Sequence, residues 1–114
     1  MSQNHNQNKS IESIVKECQV LYLQDSKNAW ATIDQYTLDL QSDEIINRMY
    51  FDRIYQQIHS LKGIAKTIHF HEIHEICETI AHSIKQNQYS TTTQLIEDLS
   101  LLKRAFETQE AIYL

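Results

Sequence analysis

Apolar residues recur at helical spacing along almost the whole chain. Ile11, Ile14, Val15, Cys18, Leu21 and Tyr22 are separated by three, one, three, three and one positions, which marks one face of an α-helix. Ser10 stands where a hydroxyl can cap the first turn. Asp25-Ser26 offers a break or a fresh cap, and a second stripe runs through Ala29, Ile33, Tyr36 and Leu40. A turn is predicted at Gln41-Ser42-Asp43, with Ser42 or Asp43 capping the next helix. The third and longest stripe holds Ile45, Ile46, Met49, Tyr50, Ile54, Ile58, Leu61, Ala65 and Ile68. The fourth holds Ile73, Ile76, Cys77, Ile80 and Ile84. A hydroxyl-rich polar segment from Gln86 to Thr93 reads as a loop, with Thr92 or Thr93 as a cap. The fifth stripe is Leu95, Ile96, Leu99, Leu102 and Phe106, and the tail from Thr108 to Leu114 can extend it.

Five amphipathic segments with short links predict an all-α chain folded as an antiparallel helical bundle. Each stripe covers about a third of its helix surface, so each helix packs on one side and is wet on the other. The single glycine and the absence of proline fit long helices better than sheets with tight turns. The length of 114 residues suits one domain. The Asn/Gln-rich residues 1–9 are expected to be a disordered lead-in, and residues 10–112 the bundle.

Charge narrows the possible partners. The net charge is -5, the wrong sign for nucleic acid or an anionic membrane surface. No apolar run approaches the roughly 18 residues of a spanning helix, and the N-terminus has no apolar core of a secretory signal. A cytoplasmic protein is expected. Cys18 and Cys77 both fall on apolar stripes, without metal-ligand spacing, and are expected to be reduced core thiols. Trp30 and the six tyrosines are expected to finish the core or rim the bundle.

The glycine is Gly63, inside the longest helical stripe. A glycine there costs about 1 kcal/mol relative to alanine. A local rule broken without local benefit often marks a functional site. At about 100° per residue, His59 points well over 90° from the centre of the stripe defined by Ile54, Ile58, Leu61, Ala65 and Ile68. Lys62, Gly63 and Lys66 come after it, within about 60° of it around the helix. One outward surface therefore carries an imidazole, two ammonium groups and a missing side chain. That set suits phosphoryl transfer through histidine. Imidazole is largely unprotonated and nucleophilic at neutral pH, and the reaction needs in-line positioning and neutralised charge. No nucleotide-binding loop or metal cage is visible, so a partner must bring the phosphoryl group.

The run His59-Ser60-Leu61-Lys62-Gly63 resembles the signature of the histidine-containing phosphotransfer (HPt) domain family: a histidine, two variable residues, lysine and glycine. The likeness extends upstream to Arg53 and Ile54. Downstream it takes in Ala65 and Thr67 at usually small positions, Phe70 at an aromatic or leucine position, then Ile73, Cys77 and Ile80. It covers about residues 10 to 110. It implies an antiparallel four-helix bundle with an additional N-terminal helix, and phosphorylation of His59 on its distal ring nitrogen. Lys62 would steady the phosphoryl group and Gly63 would permit close approach of the partner. That partner would be a response-regulator receiver domain carrying a phosphorylated aspartate and Mg²⁺, or a hybrid sensor kinase; the chain itself would hold no cofactor and no ATP site. The family is most often monomeric. Departures are Ile64 and Lys66 where small residues are common, and His69 where a glycine often precedes the aromatic. Ala81 stands where many members place a glutamine or glutamate that holds the phosphoacceptor ring; Glu78 or His82 could substitute from adjacent turns.

Helical phase puts Tyr55, Gln56, Ile64 and Lys66 at the rim of a docking surface around His59. The alternative expectation is a binding-only regulator of the same fold that occupies a kinase or receiver without accepting phosphate. A second cluster, His71, His74, Glu75, Glu78 and His82, lies on one helical face but lacks an HExxH or di-iron pattern. It is read as a solvated charged face, and no metal site is expected.

Overall fold

The computed structural model of the chain describes residues 10–42 and 47–114. Among these residues there are four helices: α1 (Ile11–Ser42), α2 (Arg48–Thr67), α3 (His71–Lys85) and α4 (Thr92–Tyr113). The predicted lead-in, the capping candidate Asp43, and Ile45 and Ile46 lie outside the described residues.

The break predicted at Asp25-Ser26 does not occur. The first two stripes form one helix of 32 residues, about 48 Å long, so an additional N-terminal helix is not a separate element. Ser26 is buried, and its hydroxyl donates to the Leu23 carbonyl at 2.8 Å. It satisfies itself inside the helix instead of capping a new one. With no glycine or proline in the segment, burial of Leu23, Trp30 and Ile33 carries the helix through.

Each helix packs on its neighbours in the chain, and α4 closes back on α1. The directions are antiparallel. Tyr22 of α1 donates to the Leu61 carbonyl of α2 at 2.9 Å, and Gln19 donates to the Ile68 carbonyl at 2.8 Å. On the other side of α1, Lys103 of α4 bridges to Asp34 at 2.9 Å and Trp30 meets Phe106 edge-on. The core is filled by Leu23, Ile33, Leu40, Phe51, Ile54, Ile58, Ile73, Ile80, Leu95, Leu102 and Phe106; the predicted stripes supply it from Ile54 onward, while at the start of α2 Phe51, outside its stripe, is buried and Met49, inside it, is 53% exposed. The N-terminal stripe of α1 differs. Ile11, Ile14, Cys18 and Leu21 are exposed, because no other described helix covers their side of α1. Of the two thiols expected in the core, only Cys77 is buried.

The helix ends show what the links require. Asn47 caps α2 through its side chain, which accepts from the Met49 amide. Thr91, one residue before the predicted Thr92 or Thr93, caps α4 in a reciprocal capping box with Gln94. Both α2 and α3 end in a paired reverse turn. The Phe70 amide donates to the Ala65 carbonyl and the His69 amide to Lys66; likewise Gln88 donates to Ser83 and Asn87 to Ile84. This is the Schellman arrangement, which needs a left-handed residue just past the helix. His69 and Asn87 fill that place, with φ of 66° and 53°.

Candidate functional site

α2 sorts its side chains by phase. Phe51, Ile54, Ile58, Leu61 and Ala65 are buried, and the opposite surface carries Gln56, His59, Gly63 and Lys66, all exposed. His59 therefore stands where its position on the helix predicts, turned away from the core. A Cβ built on Gly63 would meet nothing within 4 Å. Neither packing nor backbone conformation of this chain demands a glycine there. The bare backbone is open to whatever approaches from outside.

Lys62 is half-buried at the edge of this surface, toward α3. Its ammonium lies close enough to Cys77 of α3 to matter electrostatically. Burial pushes the Cys77 thiol up to about 12, and the Lys62 charge pulls the other way. Tyr55, one turn before His59, is half-buried and packs on the core. Its ring stacks on the imidazole with centroids 5.7 Å apart and planes 18° apart. Helical phase places Tyr55 on the docking rim without revealing its contact with His59, although the four-residue spacing held the signal.

Neither Glu78 nor His82, the possible ring partners of His59, makes a hydrogen bond to it. Ala81 is buried and offers no hydrogen bond. Glu78 faces His74, with its carboxylate 3.2 Å from Nε2, while Nδ1 of His74 lies 3.3 Å from the Lys62 carbonyl. His82 is exposed on α3. Among the described residues the imidazole has the Tyr55 ring beside it and makes no hydrogen bond. In the second cluster, the His71 ring lies 5.7 Å from that of His69, and His74 is tied to α2. No group of three or more potential metal ligands occurs among the described residues.

Beside the His59 surface runs an apolar groove of about 380 Å³ between α1 and α2. Leu21, Tyr22, Ala29, Leu61, Ile64 and Ile68 form its walls, with Ser60 and Gln57 on the His59 side and Asp25 opposite. Ile64, expected at the docking rim, is 53% exposed and belongs to both surfaces. A partner seated here would bury apolar area and bring its own groups over the bare backbone at Gly63.

No helix among the described residues is long and apolar enough to cross a membrane. No protein-family model, curated protein or solved structure matches the chain.

Proposed function

We propose that the chain is a phosphocarrier of a His-Asp relay, HPt-like in architecture, in which His59 exchanges a phosphoryl group with the aspartate of a response-regulator receiver domain. The observation that carries this reading is the open space over Gly63, beside an exposed imidazole. A helix accepts a glycine at a cost of about 1 kcal/mol, and here the chain's own packing does not use it. A partner active site that must bring phosphorus to within bonding distance of the ring does use it.

In the transfer, the distal nitrogen of neutral His59 attacks phosphorus as the bond to the aspartyl oxygen breaks and the carboxylate leaves. The partner's Mg²⁺ and the Lys62 ammonium neutralise charge spread over the phosphoryl oxygens. The apolar groove beside Ile64 receives the partner's surface, and Tyr55, Gln56 and Lys66 line its margin. The carrier works as a monomer in the cytoplasm and needs no cofactor of its own.

Incubation with a phosphorylated receiver domain and Mg²⁺ tests the reading. Acid-labile label is expected on the wild-type chain and none on His59→Gln, with helix content by circular dichroism unchanged. Label persisting in that variant refutes the assignment. Tight receiver binding with no label on the wild type makes the protein a binding-only regulator instead.

A further inference from the structure

We infer that Tyr55 is a positioning residue for the phosphoacceptor, holding the His59 ring by stacking where no hydrogen-bond partner among the described residues does so. The inference rests on the proposed carrier role and assigns Tyr55 more than a place on the docking margin.

An exposed histidine on a helix has two freely turning side-chain bonds, and a nucleophile must present one nitrogen in line with the phosphorus–oxygen bond. Restricting those rotations beforehand removes entropy that the transition state would otherwise have to supply. A buried carboxylate or amide beside the ring is one way to do this, and this chain lacks it among the described residues. Ala81 is apolar and Glu78 is engaged by His74. The stack supplies the restriction by another route. Tyr55 is itself anchored, since its ring packs on the core cluster. Its face lies 18° from parallel with the imidazole at 5.7 Å, within the range of favourable offset stacking. The imidazole is thereby bounded on one side by an offset ring. His59 is otherwise exposed, and attack on phosphorus uses a lone pair in the plane of the ring, not its face. The contact joins positions four apart on one helix, so it is made by α2 alone and does not depend on a docked partner.

A small phosphodonor separates positioning from docking. Phosphoramidate transfers its phosphoryl group directly to imidazole: its phosphorus–nitrogen bond breaks, ammonia leaves, and a new bond forms to the ring nitrogen. Labelling of His59 by phosphoramidate is expected to fall about three- to tenfold in Tyr55→Leu and to be retained in Tyr55→Phe, which keeps the ring. Receiver binding, measured without phosphate, is read separately, because Tyr55 also lines the docking margin and phosphoramidate labelling needs no docked receiver. Independently of any transfer, the His59 ring protons should show a ring-current shift in the NMR spectrum of the wild type and Tyr55→Phe that is absent in Tyr55→Leu. Circular dichroism checks that each variant is folded.

Equal labelling rates in Tyr55→Leu and wild type overturn the inference, as does a loss confined to receiver affinity. Absence of the ring-current shift in the wild type overturns it whatever the transfer data show. A wild type with the shift but no label from either donor refutes the carrier reading, and with it the catalytic use of the stack.

Discussion

At Gly63 the backbone is ordinary right-handed helix, while six positions later, at His69, it turns left-handed with φ of 66°. The first position holds a glycine that local geometry does not require. The second holds an imidazole-bearing residue where glycine would be unstrained. Stability alone would favour the reverse arrangement. An alanine at Gly63 would meet no obstruction, and a glycine at His69 would relieve a conformation that costs an L-residue about 1–2 kcal/mol. The His69 turn is held because it closes α2 onto α3: the Phe70 amide reaches the Ala65 carbonyl at 2.9 Å, and both residues are buried. The two positions teach that strain tolerated by packing and space left unused by packing are different signals. The second is the one that points outside the molecule.

The comparison can be broken most strongly at Gly63. Gly63→Leu should reduce transfer from a phosphorylated receiver by roughly tenfold or more, because the new side chain stands between the partner and His59. The same substitution should leave thermal stability equal or raised by up to about 1 kcal/mol. Wild-type transfer rates in that variant would remove the docking role of the bare backbone.

The α3 residue near Lys62 sharpens the contrast through pH. The folded-state value of the Cys77 thiol is raised from 9.0 to about 12. Its contribution is thus fully present below pH 9 and is lost as pH climbs toward about 12, since the unfolded chain releases that proton first. Between pH 9 and 10 the wild type should lose about 1 kcal/mol more than Cys77→Val in denaturant titrations. Cys18, which is exposed, should react with a thiol reagent in the native state while Cys77 waits for unfolding.

At the other position, His69→Gly should raise stability by about 0.5–1 kcal/mol, a rise in Tm of about 3 °C. The relief of the left-handed backbone slightly outweighs the greater freedom glycine adds to the unfolded chain. The smallest effect is expected for His69→Ala, which keeps a Cβ in the same conformation and should stay within about 0.5 kcal/mol. A gain with alanine as large as with glycine would show that the imidazole itself, not the φ angle, carries the strain.

Sequence by itself determined the helical class, most of the faces of α2, α3 and α4 that enter the core, and the surface that joins His59, Gly63 and Lys66, with Lys62 at its edge. Those features come from a 3.6-residue period that the chain states directly, and residues on one helix keep their phase whatever surrounds them. Tertiary structure decided the rest. Asp25-Ser26 reads as a break, yet the burial of Leu23 and Trp30 on either side runs the helix through it. The apolar stripe of Ile11, Ile14, Cys18 and Leu21 reads as core but finds no described helix opposite and stays exposed. Glu78 reads as a ring partner for His59, but it pairs with His74 one turn away on α3, whose ring lies against the Lys62 carbonyl of α2. Each of these depends on which element lies across from a residue, and a pattern written along one chain carries no distance between two helices.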